Sequence, residues 1–343
     1  MAKISCVDLF CGAGGLTHGF VLEGLPVVAG IDMDPACRFP YETNNQARFI
    51  ERDISTVTKE ELLTLFGDAD VRVLAGCAPC QPFSSYAQRY SLNGDGKWGL
   101  LYEFARLAEA TNPDIITMEN VPTVAKHVVF QDFVDTLRRL DYHVWYDVVN
   151  SSLYGVPQAR RRMVLLASRF GKIEIIPPTH DKPRTVREAI GSLSSLKAGE
   201  SAPRDKLHIS AALSEKNLQR IRVSMPGGTW RDWPKYLVAN CHRESSGQTY
   251  PSVYGRMEWD KPAPTMTTQC FGFGNGRFGH PEQDRAISLR EAAILQSFPR
   301  NYAFIPDGSE VHIKALGRLI GNAVPVDLGR AIARSINRHL DAQ

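Results

Sequence analysis

Features typical of membrane, secreted and disulfide-rich proteins are missing from this 343-residue sequence. No run approaches about 20 consecutive apolar residues, so no membrane-spanning helix is expected. The first ten residues, MAKISCVDLF, lack the basic stretch and long apolar run of a signal peptide. Seven cysteines follow no regular framework, which argues against a disulfide scaffold and favours the reducing cytoplasm. The sequence also has no internal repeats and no low-complexity tails.

The composition is that of a globular protein, with 43% hydrophobic and 22% charged residues. Its length predicts about two domains. The net charge of +3 is small for a nucleic-acid-binding protein, but residues 171–285 hold 17 Lys and Arg against 12 Asp and Glu. This local surplus fits both ordinary scatter and contact with a polyanion.

The first 170 residues or so alternate short β-branched runs with helical patterns, which predicts an α/β fold with a doubly wound, mostly parallel, Rossmann-like sheet. The predicted strands are Ile4–Phe10, Val27–Ile31, Arg48–Glu51, Val71–Ala75, Asp114–Met118, His143–Val149 and Met163–Ala167. The predicted helices are Lys59–Phe66, Tyr102–Thr111, Phe130–Leu140, Ser214–Val223, Ser288–Phe298 and Val326–His339.

Proline and glycine become frequent after about residue 176, which predicts a smaller, loop-rich second domain. We expect this inserted domain to span residues 181–285. The first domain would then consist of residues 1–180 and 286–343.

A glycine-rich turn, Asp8-Leu-Phe-Cys-Gly-Ala-Gly-Gly15, follows the first strand and opens a helix. Gly12 and Gly14 allow a tight turn and close approach to a ligand. Asp32 closes the second strand, where a carboxylate can accept hydrogen bonds from ribose hydroxyls. The pattern fits NAD, FAD or S-adenosylmethionine, or only a tight structural turn. Thr17 breaks a full G-x-G-x-x-G, which favours a cofactor without phosphates.

The sequence Gly76-Cys-Ala-Pro-Cys-Gln-Pro-Phe-Ser84 directly follows the fourth strand. Ligands bind at the carboxyl ends of such strands, and Pro79 and Pro82 stiffen the turn around Cys80. Cys80 could be a nucleophile, an inert thiol, or half of a C-x-x-C redox or zinc pair with Cys77. The remaining cysteines and histidines have no standard zinc spacing, so we expect no metal.

Two further polar motifs stand at strand ends. Glu119 and Asn120 close the fifth strand, where the carboxyl group could protonate a ring nitrogen or the pair could cap a helix. In Gln158-Ala-Arg-Arg-Arg162, Arg160 and Arg162 would share one face of an extended strand. They would suit an anionic or carbonyl-bearing partner, although such a triplet also occurs on solvated edges.

Together these motifs resemble the DNA (cytosine-5) methyltransferases of bacterial modification systems. The resemblance includes the cofactor loop, Pro79-Cys80-Gln81, Glu119-Asn-Val121 and Gln158-x-Arg-x-Arg162. It also includes a helix with Arg290, Glu291 and Gln296, and Gly321-Asn-Ala-Val324. It covers nearly the whole chain outside residues 181–285.

The resemblance implies a reaction in which Cys80 attacks carbon 6 of cytosine and carbon 5 takes a methyl group from S-adenosylmethionine. Glu119 would hold or protonate N3 and Arg162 would bind O2, with Arg160 beside them. The cofactor-binding residues implied are Phe10, Gly12, Gly14, Asp32, Met33, Asp53, Ile54, Leu100, Asn322 and Ala323. Relatives often carry a large aromatic residue where Met33 stands.

The resemblance further implies that the target cytosine of double-stranded DNA is flipped out of the helix. The glycine-rich segment 81–99 would form a mobile lid, and the inserted domain would recognise the target. The expected DNA-contacting residues are Ser84, Gln88, Arg89, Arg231, Arg243, Arg256 and Arg277. For any one arginine, contact with phosphate or solvent alone is an equal alternative. We expect a cytoplasmic monomer that works beside a restriction endonuclease.

Three other functions remain open at this point. A tRNA-modifying branch shares these catalytic motifs but carries Cys-Phe-Thr in its small domain, where this chain has Cys270-Phe-Gly. A non-catalytic DNA-binding regulator would not need an intact Cys80, Glu119 and Arg162. A nicotinamide oxidoreductase would leave Pro-Cys-Gln and Glu-Asn-Val unexplained.

Overall fold

The computed structural model describes residues 2–79, 99–249 and 251–343, with the side chains of Ser246 and Thr249 left undescribed. The chain folds into two compact units. Unit 1 consists of residues 1–154, 161–179 and 324–343, and unit 2 of residues 155–160 and 180–323. The main part of unit 2 begins at His180, one residue before the predicted boundary, and extends to Ala323 instead of ending at residue 285. Unit 2 also includes residues 155–160, which the sequence pattern assigns to the first domain.

Unit 1 contains a mixed sheet that has seven strands within the described residues. The strands are β1 (Ile4–Leu9), β2 (Val27–Asp32), β3 (Arg48–Glu51), β4 (Val71–Gly76), β5 (Ile115–Asn120), β6 (His143–Asn150) and β7 (Arg161–Ser168). Their order is β3-β2-β1-β4-β5-β7-β6, in which β1 to β5 are parallel and both β6 and β7 run antiparallel to their neighbours. The predicted Rossmann-like α/β class is confirmed.

Helices accompany the strands in the alternation that the sequence predicts. Those found among the described residues of unit 1 are α1 (Gly15–Leu22), α2 (Arg38–Asn45), α3 (Lys59–Phe66), α4 (Gly99–Thr111), α5 (Val128–Arg139) and α10 (Val326–Asp341). Every residue of β5 is buried, as expected for a strand covered on both faces. Its neighbours in the core include Phe104 of α4 and Phe133 of α5, whose rings lie 5.3 Å apart.

The end of the chain belongs to unit 1 because α10 packs closely on α1. A Cβ atom at Gly19 would lie 2.6 Å from the backbone N of Arg330, so only glycine permits this approach. The carboxylate of Glu23 then accepts hydrogen bonds from Arg330 Nε at 2.6 Å and Arg334 Nε at 2.8 Å. This contact explains why the chain returns to its first unit.

Unit 2 has little regular structure apart from short helices and a two-stranded hairpin. Its elements are α6 (Val186–Ile190), β8 (Ser201–Ala202), β9 (Asp205–Ile209), α7 (Glu215–Val223), α8 (Leu289–Leu295) and α9 (Ile313–Asn322). One core cluster includes Ile221, Trp230, Trp233 and Phe273. The part of unit 2 that lies beyond the predicted boundary at residue 285 contains two helices, α8 and α9.

A buried ion pair explains why α8 belongs to unit 2. The guanidinium group of Arg285 donates two hydrogen bonds of 2.7 Å to the carboxylate of Glu291, and both side chains are at most 1% exposed. Arg290 makes a second bidentate pair with Asp205 of β9, at 2.6 and 3.1 Å. This second pair joins residues 85 apart in the sequence, so local patterning could not reveal the boundary.

His280 lies beside the Arg285–Glu291 ion pair and is held in its neutral form. Its Nδ1 accepts backbone N–H groups from Glu282 at 3.1 Å and Gln283 at 2.9 Å, which a proton there would displace. Burial lowers the pKa of His280 from 6.5 to about 4, and the charges of Arg285 and Arg256 contribute in the same direction.

We expect His280 to make the protein less stable in mild acid. Because the pKa is lower in the folded chain, the unfolded chain binds the proton first as pH falls from 6.5 to about 4. The loss should reach at most about 3 kcal/mol. Urea unfolding of the wild type and His280→Gln between pH 7 and 4 should show that the free energy of unfolding decreases less in the variant than in the wild type. The exposed His312→Gln provides the control, and parallel curves for wild type and His280→Gln would contradict this assignment.

Candidate active site

The glycine-rich turn after β1 depends on left-handed backbone conformations at three positions. Phe10, Gly12 and Gly14 have φ angles of 57°, 53° and 88°. Nothing lies within 4 Å of a Cβ built at Gly12, so glycine is favoured there by backbone conformation and not by crowding. Gly14 is the N-terminal cap of α1 and shares this conformation. The turn thus leaves open space next to Gly12, at the end of β1.

Asp32 fastens this turn to the end of β2. One carboxylate oxygen accepts the Gly12 N–H at 3.0 Å, and the other accepts the Asp34 N–H at 2.9 Å. A carboxylate has about four lone-pair sites, so capacity remains for a ligand hydroxyl. Burial raises the pKa of Asp32 above its usual value. The predicted ligand-binding carboxylate therefore also orders the glycine turn.

The remaining predicted cofactor residues of unit 1 lie at the same end of the sheet. Asp53 follows β3 and accepts the Ser55 N–H at 3.0 Å, which begins a short 3-10 turn containing buried Ile54. Phe10 and Leu100 are partly buried against the apolar core to which Ile54 belongs. The fold thus brings together residues from positions 10 to 100. Asn322 and Ala323 belong to unit 2, where they end α9.

A second carboxylate, Asp8, is buried in the interior next to the glycine turn. Its Oδ2 accepts the Thr17 hydroxyl at 2.6 Å, and the Tyr41 hydroxyl lies 3.0 Å from that of Thr17. Its Oδ1 accepts no hydrogen bond within the described residues. Burial raises the pKa of Asp8 to about 7, with a further contribution from the negative charge of Asp32. The sequence pattern did not single out this residue.

The predicted catalytic motifs meet at the ends of β4, β5 and β7. Cys80 itself lies outside the described residues, but Cys77, Ala78 and Pro79 are described. The Glu119 carboxyl group is only 3% exposed, and its Oε1 lies 2.9 Å from Nε of Arg162, which is 12% exposed. The Arg162 N–H does not point along this line, and Oε1 accepts no hydrogen bond from the described residues. One buried carboxylate oxygen thus retains its hydrogen-bonding capacity.

The turn towards Cys80 is itself held by the end of β5. Asn120 Nδ2 donates to the carbonyl of Ala78 at 3.1 Å, and Asn120 Oδ1 accepts the Val121 N–H at 2.7 Å. The Cys77 thiol donates to Glu119 Oε2 at 2.9 Å. The sequence pattern predicts Glu119 and Asn120 at the end of the fifth strand but does not indicate this bracing function of the amide, and it indicates Cys77 only as a possible partner of Cys80.

Arg160 and Arg162 of the basic triplet have different surroundings. Arg162 lies on β7, with its Nε 2.9 Å from Oε1 of Glu119 on β5, whereas Arg160 precedes β7 and belongs to unit 2. Arg160 Nη1 donates to the carbonyl of Met266 at 3.1 Å and to Gln158 Oε1 at 3.3 Å. Because the strand begins only at Arg161, the predicted alternation does not apply to Arg160. Its observed contacts are those of a brace inside unit 2.

The arginines expected to contact DNA also differ. Arg231 and Arg243 are exposed, and each donates one hydrogen bond to a nearby backbone carbonyl. Arg277 is half-buried and donates to the carbonyl of Gly228. Arg256 is 5% exposed, and its guanidinium group is surrounded by the carbonyls of Ile221, Ser224, His280 and Gln283 and the carboxylate of Asp284. All five of its N–H donors are therefore engaged, which corrects the expectation that Arg256 is available to read a base.

The other lid and DNA contacts expected from the sequence, Ser84, Gln88 and Arg89, lie outside the described residues. Within residues 2–79, 99–249 and 251–343, no group of three or more His, Cys, Asp or Glu side chains could hold a metal ion. No helix in those same ranges is long and apolar enough to cross a membrane.

Comparison with solved structures gives the same fold class. A DNMT2 variant from Spodoptera frugiperda superposes with a TM-score of 0.68, although only 16% of residues are identical, and the match covers 98% of this chain and 100% of the other. This likeness concerns the fold alone.

Sequence comparison identifies the family. A family model for C-5 cytosine-specific DNA methylases matches residues 4–338. M.HgiDII, a Type II methylase of Herpetosiphon aurantiacus, is 56% identical over 340 residues, which cover 98% of this chain and 95% of that protein. M1.HphI, a Type II methyltransferase of Haemophilus parahaemolyticus, is 31% identical, with coverages of 97% and 87%. The chain belongs to the C-5 cytosine-specific DNA methylases and is a DNA (cytosine-5) methyltransferase, which confirms the resemblance found in its motifs.

We expect Asp8→Asn to abolish the decrease in stability that Asp8 causes in the wild type as pH rises from 3.8 to about 7. Folding raises the Asp8 pKa from 3.8 to about 7, so wild-type stability should fall as pH rises through this range. The fall attributable to Asp8 is at most about 4 kcal/mol. Asparagine keeps an acceptor for Thr17 and cannot ionise. Urea unfolding between pH 5 and 8 should show that the free energy of unfolding of Asp8→Asn rises relative to that of the wild type as pH increases. The exposed Asp307→Asn should show the same pH dependence as the wild type. A constant difference between Asp8→Asn and wild type would contradict this expectation.

Proposed function

We propose that this enzyme transfers a methyl group from S-adenosylmethionine to carbon 5 of a flipped-out cytosine in double-stranded DNA. Family membership supports the reaction class. The observation that carries the catalytic assignment is the buried Glu119 carboxylate beside Arg162, next to the turn that leads to Cys80. One of its oxygens accepts no hydrogen bond from the described residues. Such a carboxyl group can exchange a proton with the ring nitrogen of a base that enters the site.

The end of the sheet in unit 1 fits the proposed cofactor. The open space at Gly12 permits close approach, Asp32 keeps lone pairs suited to ribose hydroxyls, and Phe10, Ile54 and Leu100 supply apolar surface for a purine. Met33 and Asp53 follow the ends of β2 and β3. Asn322 and Ala323 are also proposed to bind the cofactor, because they belong to the motif Gly321-Asn-Ala-Val324 that resembles the family. When bound, S-adenosylmethionine would supply an electrophilic methyl group.

Side chains of the protein would act on the cytosine ring in successive steps. A Cys80 thiolate forms a bond to carbon 6, while Glu119 shares its proton with N3 and Arg162 donates to O2. Electron density would then accumulate at carbon 5, which would bond to the methyl carbon as its bond to the sulfonium sulfur of S-adenosylmethionine breaks and S-adenosylhomocysteine leaves. Loss of the carbon-5 proton to a base, expulsion of Cys80 as thiolate and return of the N3 proton to Glu119 would restore the aromatic ring. The base that takes this proton is not assigned, and a water molecule would suffice.

DNA would be held by residues from two stretches of the sequence. Carbon 5 is inaccessible within a duplex, so the nucleotide must leave the stack at a cost of about a few kcal/mol. Ser84, Gln88 and Arg89 remain proposed contacts by motif position. In unit 2 we propose Arg231, Arg243 and Arg277, and leave out Arg256 because its donors are already used. Arginine can pair with guanine edges or with phosphate.

The biological role that we propose is protection of DNA from a restriction endonuclease. It is supported by the Type II names of the relatives at 56% and 31% identity. The enzyme would act as a cytoplasmic monomer that modifies its target sequence before the endonuclease cuts it.

We expect purified enzyme to transfer labelled methyl from S-adenosylmethionine to duplex DNA and Cys80→Ser to show only background transfer. Glu119→Gln should lose about 100- to 10,000-fold in rate, because it cannot exchange a proton. Cys241→Ser removes an exposed thiol and should retain wild-type activity. Scintillation counting of precipitated DNA measures each rate. Equal transfer by Cys80→Ser would refute the covalent mechanism, and transfer only to tRNA would refute the substrate.

We expect a double variant, Arg231→Ala with Arg243→Ala, to bind duplex DNA more weakly and with a less steep salt dependence. Each lost phosphate contact should reduce the slope of log K against log salt by about 1. Fluorescence anisotropy over a series of salt concentrations measures both effects. Arg138→Ala changes an exposed arginine on α5 and is the matched control. A slope unchanged from wild type would remove both arginines from the phosphate-contacting set.

A further inference from the structure

Cys77 makes a contact that the reaction described above does not use. It follows β4, and its thiol donates to Glu119 Oε2 at 2.9 Å. The neighbouring strand pairs place Gly76 of β4 opposite Met118 of β5, so the two side chains meet directly after the last paired residues. Glu119 is almost completely buried, whereas Cys77 is half-buried.

The contact distinguishes the two oxygens of the Glu119 carboxyl group. Oε2 accepts the thiol, whereas Oε1 lies 2.9 Å from Arg162 Nε and accepts no hydrogen bond from the described residues. Rotation about the terminal bond of a glutamate is only weakly restricted by its own geometry. A neighbouring donor is therefore needed to hold the carboxyl plane in one orientation.

The surrounding turn is fixed independently of the thiol. Asn120 holds the carbonyl of Ala78, the residue after Cys77, at 3.1 Å. The backbone at Cys77 thus has a support that remains when its side chain is changed. Replacement of the thiol should accordingly alter the carboxyl orientation more than the path of the chain.

We propose that Cys77 is a positioning residue for catalysis: its S–H group holds Oε2 of Glu119 so that Oε1 is the oxygen presented to the target base. The proposal rests on the function proposed for Glu119. Cys77 forms no covalent bond to the substrate. A serine hydroxyl can replace the thiol as donor, whereas an alanine methyl group cannot.

The first test compares Cys77→Ala and Cys77→Ser with wild type in steady-state methyl transfer. A typical hydrogen bond corresponds to about a 10-fold rate effect, so Cys77→Ala should lower kcat by about this factor. The KM for DNA should be unchanged, and Cys77→Ser should recover at least half of the wild-type kcat. Cys241→Ser again controls for loss of a thiol as such.

Combination with Glu119→Gln separates positioning from packing. If Cys77 acts through Glu119, adding Cys77→Ala to Glu119→Gln should lower kcat by less than about 2-fold. An equal 10-fold loss in both backgrounds would overturn the proposal, as would wild-type kcat in Cys77→Ala. Parallel assays of Cys80→Ser distinguish a failure of the proposed function from a failure of the Cys77 proposal. Retained methyl transfer by Cys80→Ser would refute the covalent mechanism but not the contact between Cys77 and Glu119.

Infrared difference spectra of wild type minus Cys77→Ala supply a readout without turnover. The S–H stretch of Cys77 should lie at lower frequency than that of a free thiol and should rise when the same difference is taken with Glu119→Ala in both proteins. An S–H stretch at the same frequency with and without Glu119→Ala would show that the hydrogen bond is not formed. That result would overturn the proposal even if the methyl-transfer mechanism stands.

Discussion

The pairing of β1 with β4 is the constraint on which the proposed active site of this enzyme depends. Leu9 lies opposite Gly76, so the glycine-rich turn and the turn towards Cys80 leave the sheet side by side. The chain winds outwards from these two strands in opposite directions, and such a switch point leaves a crevice at the carboxyl ends of the strands. A Cβ atom at Gly76 would lie 2.8 Å from the Leu9 carbonyl, so this close approach requires glycine.

The chemistry at this edge is set by how one buried carboxylate is compensated. Burying an ionised group is costly unless partners replace its hydration. Glu119 has a guanidinium beside Oε1 and a thiol on Oε2, and Asn120 fixes the adjacent turn. Oε1 has a charge nearby but no hydrogen bond from the described part of the chain, so this oxygen is available to exchange a proton with a base in the proposed reaction while the rest of the carboxyl group is held.

The same residue types serve quite different purposes in unit 2. Arg285 and Glu291 form a completely buried pair, and breaking such a pair typically costs about 3–5 kcal/mol. Gln158 donates to the carbonyl of Leu295 at 3.0 Å and to Gln296 Oε1 at 2.9 Å, and so ties residues 155–160 to α8. Several motif residues that identify the family are therefore structural, which explains why a motif alone does not reveal which of its side chains act on substrate.

Local periodicity was enough to predict where the strands lie along the sequence and that a glycine-rich turn follows the first of them, and the resemblance of the short motifs indicated the family. Every predicted strand is present, with boundaries shifted by at most two residues. The extension of unit 2 to Ala323, the bracing contacts of Arg160 and Arg256, and the contact of Cys77 with Glu119 emerged only from the folded chain. Each of these depends on residues that are far apart in the sequence, and a side chain's partners across such distances leave no periodic trace in it.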